Sequence, residues 1–297
     1  MIKKLAIISC AVISTICTAE DKSSQHEINY GLINLVSLQW VDLDYSEFPL
    51  IGLSYKYYFE PLKDSNKPYA IQSDLDRVSW ASLDFNLFTE LAPNIGGHYY
   101  INDQWSLEYD LIYESQTYRS SNTTSKNSDL YIDTALNYQI NKDFQLGFGI
   151  RRISENSEYR QELEDSTSYI NSENSSENVV FIQTRYTQIE NNIGWDNKVS
   201  ISTSGDYLTA KIYSTYYTSK NNGVTIGLLH QNGKSQFRDD FTSLSFLQQY
   251  WFSRQTSIKY GFSWNMINDV SYYGNDVASS SSTSHFPLLE ISGTWRF

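Results

Sequence analysis

Leu289-Glu290-Ile291-Ser292-Gly293-Thr294-Trp295-Arg296-Phe297 is the stretch whose reading decides the fold. Taken by twos from its end, Phe297, Trp295, Gly293, Ile291 and Leu289 share one face, and Arg296, Thr294, Ser292 and Glu290 the other. A period of two belongs to a strand with one apolar and one polar side, and only Gly293 departs from the apolar alternation. Chain ends of soluble domains fray and are usually polar, whereas a sheet closed on itself must join its last strand to its first. The expectation is a final strand that closes a barrel. The plainer alternative is an amphipathic strand of a soluble β domain.

The other end of the sequence narrows the setting. Met1–Ala19 opens with Lys3 and Lys4, continues through a mostly apolar run from Leu5 to Ile16 and closes on Cys17-Thr18-Ala19, small residues where a signal peptidase inspects. It reads as a secretory signal peptide over residues 1–19, cut before Glu20, which leaves 20–297 as one barrel domain. The apolar run is too short for a spanning helix, and no later segment is long enough. Cys10 and Cys17 lack the preceding residues that lipidation requires. Both lie within the part to be removed, so the mature chain is expected to carry no disulfide, zinc–thiolate site or thiol nucleophile.

Composition adds a second constraint. Taking Lys3 and Lys4 from the 22 basic residues leaves 20 against 34 acidic, a mature net charge of −14. Such acidity argues against a nucleic-acid partner, whose phosphates attract basic surfaces. Aromatic residues make up 15% of the chain, with 24 tyrosines, yet the mean hydropathy is −0.46. A helical membrane protein does not combine these values. A membrane-spanning β-barrel does, because apolar outward positions alternate with polar inward ones and tyrosine and tryptophan gather at the membrane interfaces.

Alternating segments recur along the mature chain after a polar leader, Glu20–Glu27. Trp105, Leu107, Tyr109, Leu111 and Tyr113 oppose Ser106, Glu108, Asp110 and Ile112; Ile258, Tyr260, Phe262, Trp264 and Met266 oppose Lys259, Gly261, Ser263 and Asn265. The pattern predicts an all-β, antiparallel, up-and-down transmembrane barrel of about fourteen strands, with twelve or sixteen also open. Strands are expected near 28–41, 49–59, 78–88, 95–101, 104–115, 129–140, 144–153, 179–190, 195–203, 207–218, 224–231, 242–252, 256–267 and 286–297. Short turns are expected at Asn102-Asp103, Asn141–Asp143, Asn191–Gly194, Lys220–Gly223 and Ser253–Gln255. Between them, Ser115–Asn127, Ile153–Asn178, Asn232–Asp240 and Asn268–Ser284 are polar and read as solvated loops.

One connection breaks the rhythm, from Glu60 to Asp76. Tyr57-Tyr58-Phe59-Glu60-Pro61 followed by Pro68-Tyr69-Ala70-Ile71-Gln72-Ser73-Asp74-Leu75-Asp76-Arg77-Val78-Ser79 resembles a motif of general porins of Gram-negative bacteria. Pro68, Ala70, Leu75, Arg77 and Ser79 fall at that family's places, and Ile71–Asp74 has diverged. The closing strand, with Trp295 and Phe297, also looks like the C-terminal signal that the barrel-assembly machinery reads. These resemblances imply a barrel in the outer membrane of a Gram-negative bacterium, in contact with outer-membrane lipid and lipopolysaccharide, that passes small hydrophilic solutes. A homotrimer and a monomer are both compatible with the sequence.

If the aromatic faces meet lipid, the opposite faces line the interior. Asp84, Glu108, Asp110, Glu114 and Asp133 come from strands three to six, and Arg151, Arg185, Lys198, Lys211 and Lys259 from strands seven to thirteen. Consecutive strands are neighbours, so an acidic arc is expected to face a basic arc across the lumen, ordering water and screening solutes by charge and dipole. The alternative is that these charges pair as salt bridges in a closed interior. The acidic stretch Glu155–Glu177 has three readings: an inward constriction, a divalent-cation site or a solvated segment. His26, His98, His230 and His285 are scattered, with no nucleophile elbow, phosphate loop or paired metal-ligand histidines nearby. Neither catalysis nor a metal or other cofactor is expected. The function read from the sequence is passive diffusion of small hydrophilic solutes through a water-filled porin. A non-conducting surface barrel, with loops for adhesion, phage binding or envelope integrity, is the alternative.

Overall fold

The computed structural model describes residues 24–35, 50–63, 65–88, 90–119, 123–162, 168–203, 207–233, 240–273 and 278–297. The expected signal peptide lies outside them. Fourteen antiparallel strands close into one barrel, each beside its neighbours in sequence and the first beside the last. They are β1 (Ser24–Leu35), β2 (Leu50–Leu62), β3 (Trp80–Phe88), β4 (Glu90–Tyr100), β5 (Trp105–Arg119), β6 (Thr123–Gln139) and β7 (Phe144–Glu162). The second half comprises β8 (Ser168–Glu190), β9 (Ile193–Thr203), β10 (Tyr207–Ser219), β11 (Asn222–Gly233), β12 (Asp240–Trp251), β13 (Thr256–Tyr273) and β14 (Ala278–Arg296). No helix among the described residues is long and apolar enough to cross a membrane. All fourteen expected strands are present.

The alternation that predicts the strands also sorts their faces. Leu53, Ile95, Leu111, Leu136, Phe148, Ile182, Ile201, Ile226, Phe246, Phe262 and Ile291 are all exposed on the outer wall. Large apolar side chains on the outside suit a hydrocarbon surround, which satisfies them as water does not. On the inner wall stand Ser106, Asn137, Asp196, Ser257, Asn265 and Thr294, buried and polar.

The last strand sews to the first as expected, with Ile28 opposite Trp295, Tyr30 opposite Gly293 and Leu32 opposite Ile291. Gly293 breaks the apolar pattern because the Tyr30 ring lies over it. A Cβ there would come within 2.5 Å of Tyr30 Cζ, so a glycine and a large ring share the space of two ordinary side chains. Phe297 completes the seam. Its carbonyl accepts from the Gln25 and His26 amides at 3.2 and 3.0 Å, its own amide donates to the His26 carbonyl at 2.9 Å, and its ring stacks on His26 at 5.2 Å.

Apart from the connection from β2 to β3, the turns at the end of the barrel that carries Ser24 and Phe297 are tight. Asn102 and Asn141 each accept two amides of the following turn through Oδ1, at 2.8–3.0 Å, which is the local bonding for which asparagine is suited. Between β8 and β9, Asn191 and Asn192 both have positive φ, 51° and 71°, the two-residue turn that follows the twist of a hairpin.

Two expectations need correction. The polar leader does not run to Glu27: Ser24–Glu27 already belong to β1, where Glu27 is buried. Of the stretches read as solvated loops, Ser115–Asn127, Ile153–Asn178 and Asn268–Ser284 are largely strand where described, and most of Asn232–Asp240 lies outside the described residues. β5 and β6 stay paired out to Arg119 and Thr124, β7 and β8 to Glu162 and Ser168, and β13 and β14 to Tyr273 and Ala278. Serine, asparagine and glutamate suit a strand with water on both faces, and such a strand has no apolar alternation to betray it.

Candidate functional site

The buried apolar side chains do not fill the barrel. Most of them gather at the short-turn end, around the connection from β2 to β3. Tyr58, Leu62 and Val78 form a cluster with Trp80 packed against it, and Tyr69, Ile71 and Trp251 are buried beside them. The connection forms a 3-10 turn (Tyr69–Ile71) and a four-residue helix α1 (Gln72–Leu75). Gln72, fully buried, donates to the Lys63 carbonyl and to Asp76, and Lys67 reaches the Leu75 carbonyl and Asp76 at 2.9 and 2.5 Å. These bonds make the segment a compact unit.

Its outward bonds run to strands and turns all round the barrel. The Tyr69 amide donates to the Lys220 carbonyl of the β10–β11 turn at 3.0 Å, and the Tyr69 carbonyl accepts from Arg296 of β14 at 3.0 Å. Arg254, in the β12–β13 turn, donates to the Leu62 carbonyl. Arg77, at φ 53°, donates to the Asn102 carbonyl at 3.0 Å and lies over the Tyr100 ring at 4.9 Å. Tyr69 meets Trp251 edge-on at 5.9 Å, and the Arg296 guanidinium sits 4.2 Å from the Trp251 ring. A segment tied to β4, β8, β12, β14 and three turns spans the lumen. The connection is a plug across the short-turn mouth.

Asp74 is the electrostatic centre of the plug. One oxygen accepts from Arg185 of β8 at 2.7 Å; the other takes the Tyr100 hydroxyl at 3.4 Å and lies 4.0 Å from His98. Arg185 is held from its far side by Asp196 of β9, through Nε at 2.7 Å and Nη2 at 3.0 Å, and Thr187 donates to the same carboxylate. Burial alone would raise the Asp74 carboxyl. The Arg185 guanidinium, with Lys198 and His98 beyond it, outweighs that and holds it well below the usual carboxylate range. A second buried pair, Glu27–Arg296 at 2.6 Å, crosses the β1–β14 seam, and the Tyr58 hydroxyl donates to Glu27 at 2.8 Å.

Beyond the plug the interior holds polar cavities. Glu108, Asp110, Asp133, Arg151 and Lys211 line one of about 170 Å³. Glu108, Arg185, Lys198 and Lys211 line a neighbouring one of about 250 Å³. Asp84 and Lys259 line a third, of about 390 Å³, whose floor includes Ala70 of the plug and Trp251. The acidic residues of β5 and β6 and the basic residues of β7–β10 thus share two cavities, while Asp84 and Lys259 stand apart from them. Glu114 lies on β5, its side chain outside the described residues.

Several of these charges are paired with neighbours. Asp133 takes a two-pronged bond from Arg151 at 2.5 and 2.7 Å, and Lys259 contacts Glu290 at 2.5 Å. Among the described residues, Asp84, Asp110, Lys198 and Lys211 have no ion pair within 4.0 Å, which leaves carboxylates on β3 and β5 and ammonium groups on β9 and β10. No group of three or more acidic, histidine or cysteine side chains among the described residues is arranged to hold a metal ion. Glu155, Glu158, Glu173 and Glu177 belong to the paired extension of β7 and β8 rather than to an inward loop; Glu164 and Asp165 lie outside the described residues. Trp295 and Phe297, the expected assembly signal, meet with ring centroids 4.6 Å apart at the seam.

Sequence reasoning missed Asp74, Arg296, Glu27 and Trp251. The porin-like motif marks the plug segment, but nothing in it announces that Asp74 meets an arginine on β8.

A closed antiparallel barrel with an apolar exterior and a charged, plugged interior is a barrel of the outer-membrane class. Among solved structures it is similar to the outer membrane protein Omp33 of Acinetobacter baumannii, with 11% identity over 92% of this chain and 98% of that one and a TM-score of 0.55. It is similar also to the CymD monoaromatic hydrocarbon channel, with 8% identity over 93% of this chain and 89% of that one and a TM-score of 0.50. No family model and no curated protein sequence matches the chain.

Proposed function

We propose that the protein is a passive channel for small hydrophilic solutes in the outer membrane of a Gram-negative bacterium, with the β2–β3 plug narrowing its periplasmic mouth. The observation that carries this reading is the set of charged cavities inside the wall. A water needs only about 10–15 Å³ of such space, so the smallest, at about 170 Å³, has room for about ten. The unpaired carboxylates on β3 and β5 and the unpaired lysines on β9 and β10 supply a field across that space, which favours small dipolar and charged solutes over apolar ones. The porin-like motif over Tyr57–Ser79 supports the reading, and short turns on the plug side fit a periplasmic orientation. The protein in this reading performs no catalysis and needs no cofactor. Its contacts are outer-membrane lipid and lipopolysaccharide, and its assembly uses the barrel-assembly machinery.

One observation favours the rival, a barrel that does not conduct: the plug is bonded to the wall on nearly every side. Planar-bilayer recordings of pure refolded protein separate the two. A channel gives discrete steps, larger when the plug is loosened by Asp74→Asn, and swelling of liposomes that falls with sugar size. Absence of steps from both the unaltered protein and the loosened variant would sink the pore.

A further inference from the structure

We infer that the free margin of β8 beyond the barrel wall, Ser168–Ser176, takes up an extended, cationic polypeptide segment of a partner as an added strand. β9 pairs with β8 only from Val180 onward, so beyond that point β8 is bonded to β7 alone among the described residues. At about 3.3 Å per residue, Ser168–Ser176 offers an edge about 30 Å long. Open edges are templates for further strands, and proteins blunt them with lysine, proline or a bulge. This edge has no lysine and no proline, and the β7–β8 register runs through it without a shift. Ile170–Ser176 are all exposed. The opposite margin of the extension, Tyr113–Arg119 of β5, is shorter.

Charge names the partner. Side chains alternate along a strand, so the inner face of the wall can be followed outward in steps of two from Asp133, Arg151 and Val179. It carries Asp129, Glu155, Glu173 and Glu177, and beyond Arg151 no lysine or arginine on β6, β7 or β8. Lys126, Arg152 and Arg160 fall on the other face. Asp129 stands directly opposite Glu155, which accepts a bond from Ser175 at 3.0 Å. A strand laid along β8 presents every second side chain to this acidic face, and lysine or arginine at those places is complementary. Backbone bonds then supply affinity and the alternate charges supply selection. This inference does not depend on whether the lumen conducts.

The test uses the whole refolded barrel in detergent micelles and a fluorescent ten-residue peptide of alternating lysine and threonine, read by anisotropy. Three comparisons are made: an alternating glutamate–threonine peptide, the lysine peptide N-methylated at every residue, and the Glu173→Lys barrel. The lysine peptide should bind at least about tenfold tighter than its N-methylated form, which keeps its charges but has no N–H to give. Glu173→Lys should weaken it by about three- to tenfold, and the glutamate peptide should not bind. Equal binding of the N-methylated peptide overturns strand addition in favour of loose ionic attraction. Binding indifferent to Glu173→Lys, or no binding of the lysine peptide, overturns the assignment of this edge.

Discussion

The plug's hold on the lumen is most directly weighed at Asp74. In Asp74→Asn the side chain keeps an oxygen for Arg185 but loses its charge. Hydrogen bonds to charged groups contribute about 1.5–3 kcal/mol. Arg185 retains both of its bonds to Asp196, so the buried guanidinium is not left without a counter-charge. The loss is therefore set at about 2 kcal/mol, near the middle of that range, which is about thirtyfold in the ratio of docked to undocked plug. Residues 24–297 contain no cysteine, so Ser73→Cys installs a unique thiol at a buried place in α1 with little change in volume. A bulky charged thiol reagent reaches that sulfur only when the plug leaves its seat, and its rate then tracks the undocked fraction. The double variant Ser73→Cys, Asp74→Asn should react about thirtyfold faster than Ser73→Cys alone. Rates within about threefold of each other would refute the argument that the Asp74–Arg185 contact seats the plug.

Acid should act on the same group. The folded Asp74 carboxyl titrates well below its unfolded range, so its contribution is fully present above about pH 4 and is lost as the pH falls toward the folded value. Plug fluorescence, taken as the difference between the protein and Trp251→Phe, should not respond to Asp74 between pH 5 and 8 and should change below about 4. Replacing both unpaired lysines, Lys198→Glu with Lys211→Glu, should raise the cation-to-anion permeability ratio at least about threefold, read from the reversal potential under a salt gradient. Arg296→Met strips Glu27 of its partner in a buried seam and should cost about 3–5 kcal/mol, read as a lower midpoint for loss of the folded band on unheated gels. Glu27→Met added to it should restore much of that loss, because a buried pair replaced as a whole is far cheaper than one broken in half.

The barrel was legible because hydrocarbon outside and water inside impose a period of two that few other folds sustain. Leu111, Leu136 and Phe262 can be placed on the outer wall from their spacing alone. That signal stops where the membrane stops. Ile170–Ser176 have solvent on both faces, so their composition is that of a loop although their backbone is that of a strand. The inward charges on β3–β10 follow from the same alternation. Their pairing does not, since Arg151 takes Asp133 across one ladder while Lys211 is left open, a difference set by side-chain reach. The plug was the least legible part. Asp74 and Arg185 lie 111 residues apart, and their meeting depends on the closed circumference rather than on any local pattern.

The clamp on Tyr69 is supplied by Arg296, 227 positions later in the chain and on the last strand of the barrel. The same guanidinium binds Glu27, on the first strand. Stitching the cylinder shut and clasping its stopper therefore draw on one side chain. While the β1–β14 seam is open the stopper lacks this clasp, and closing the seam supplies it.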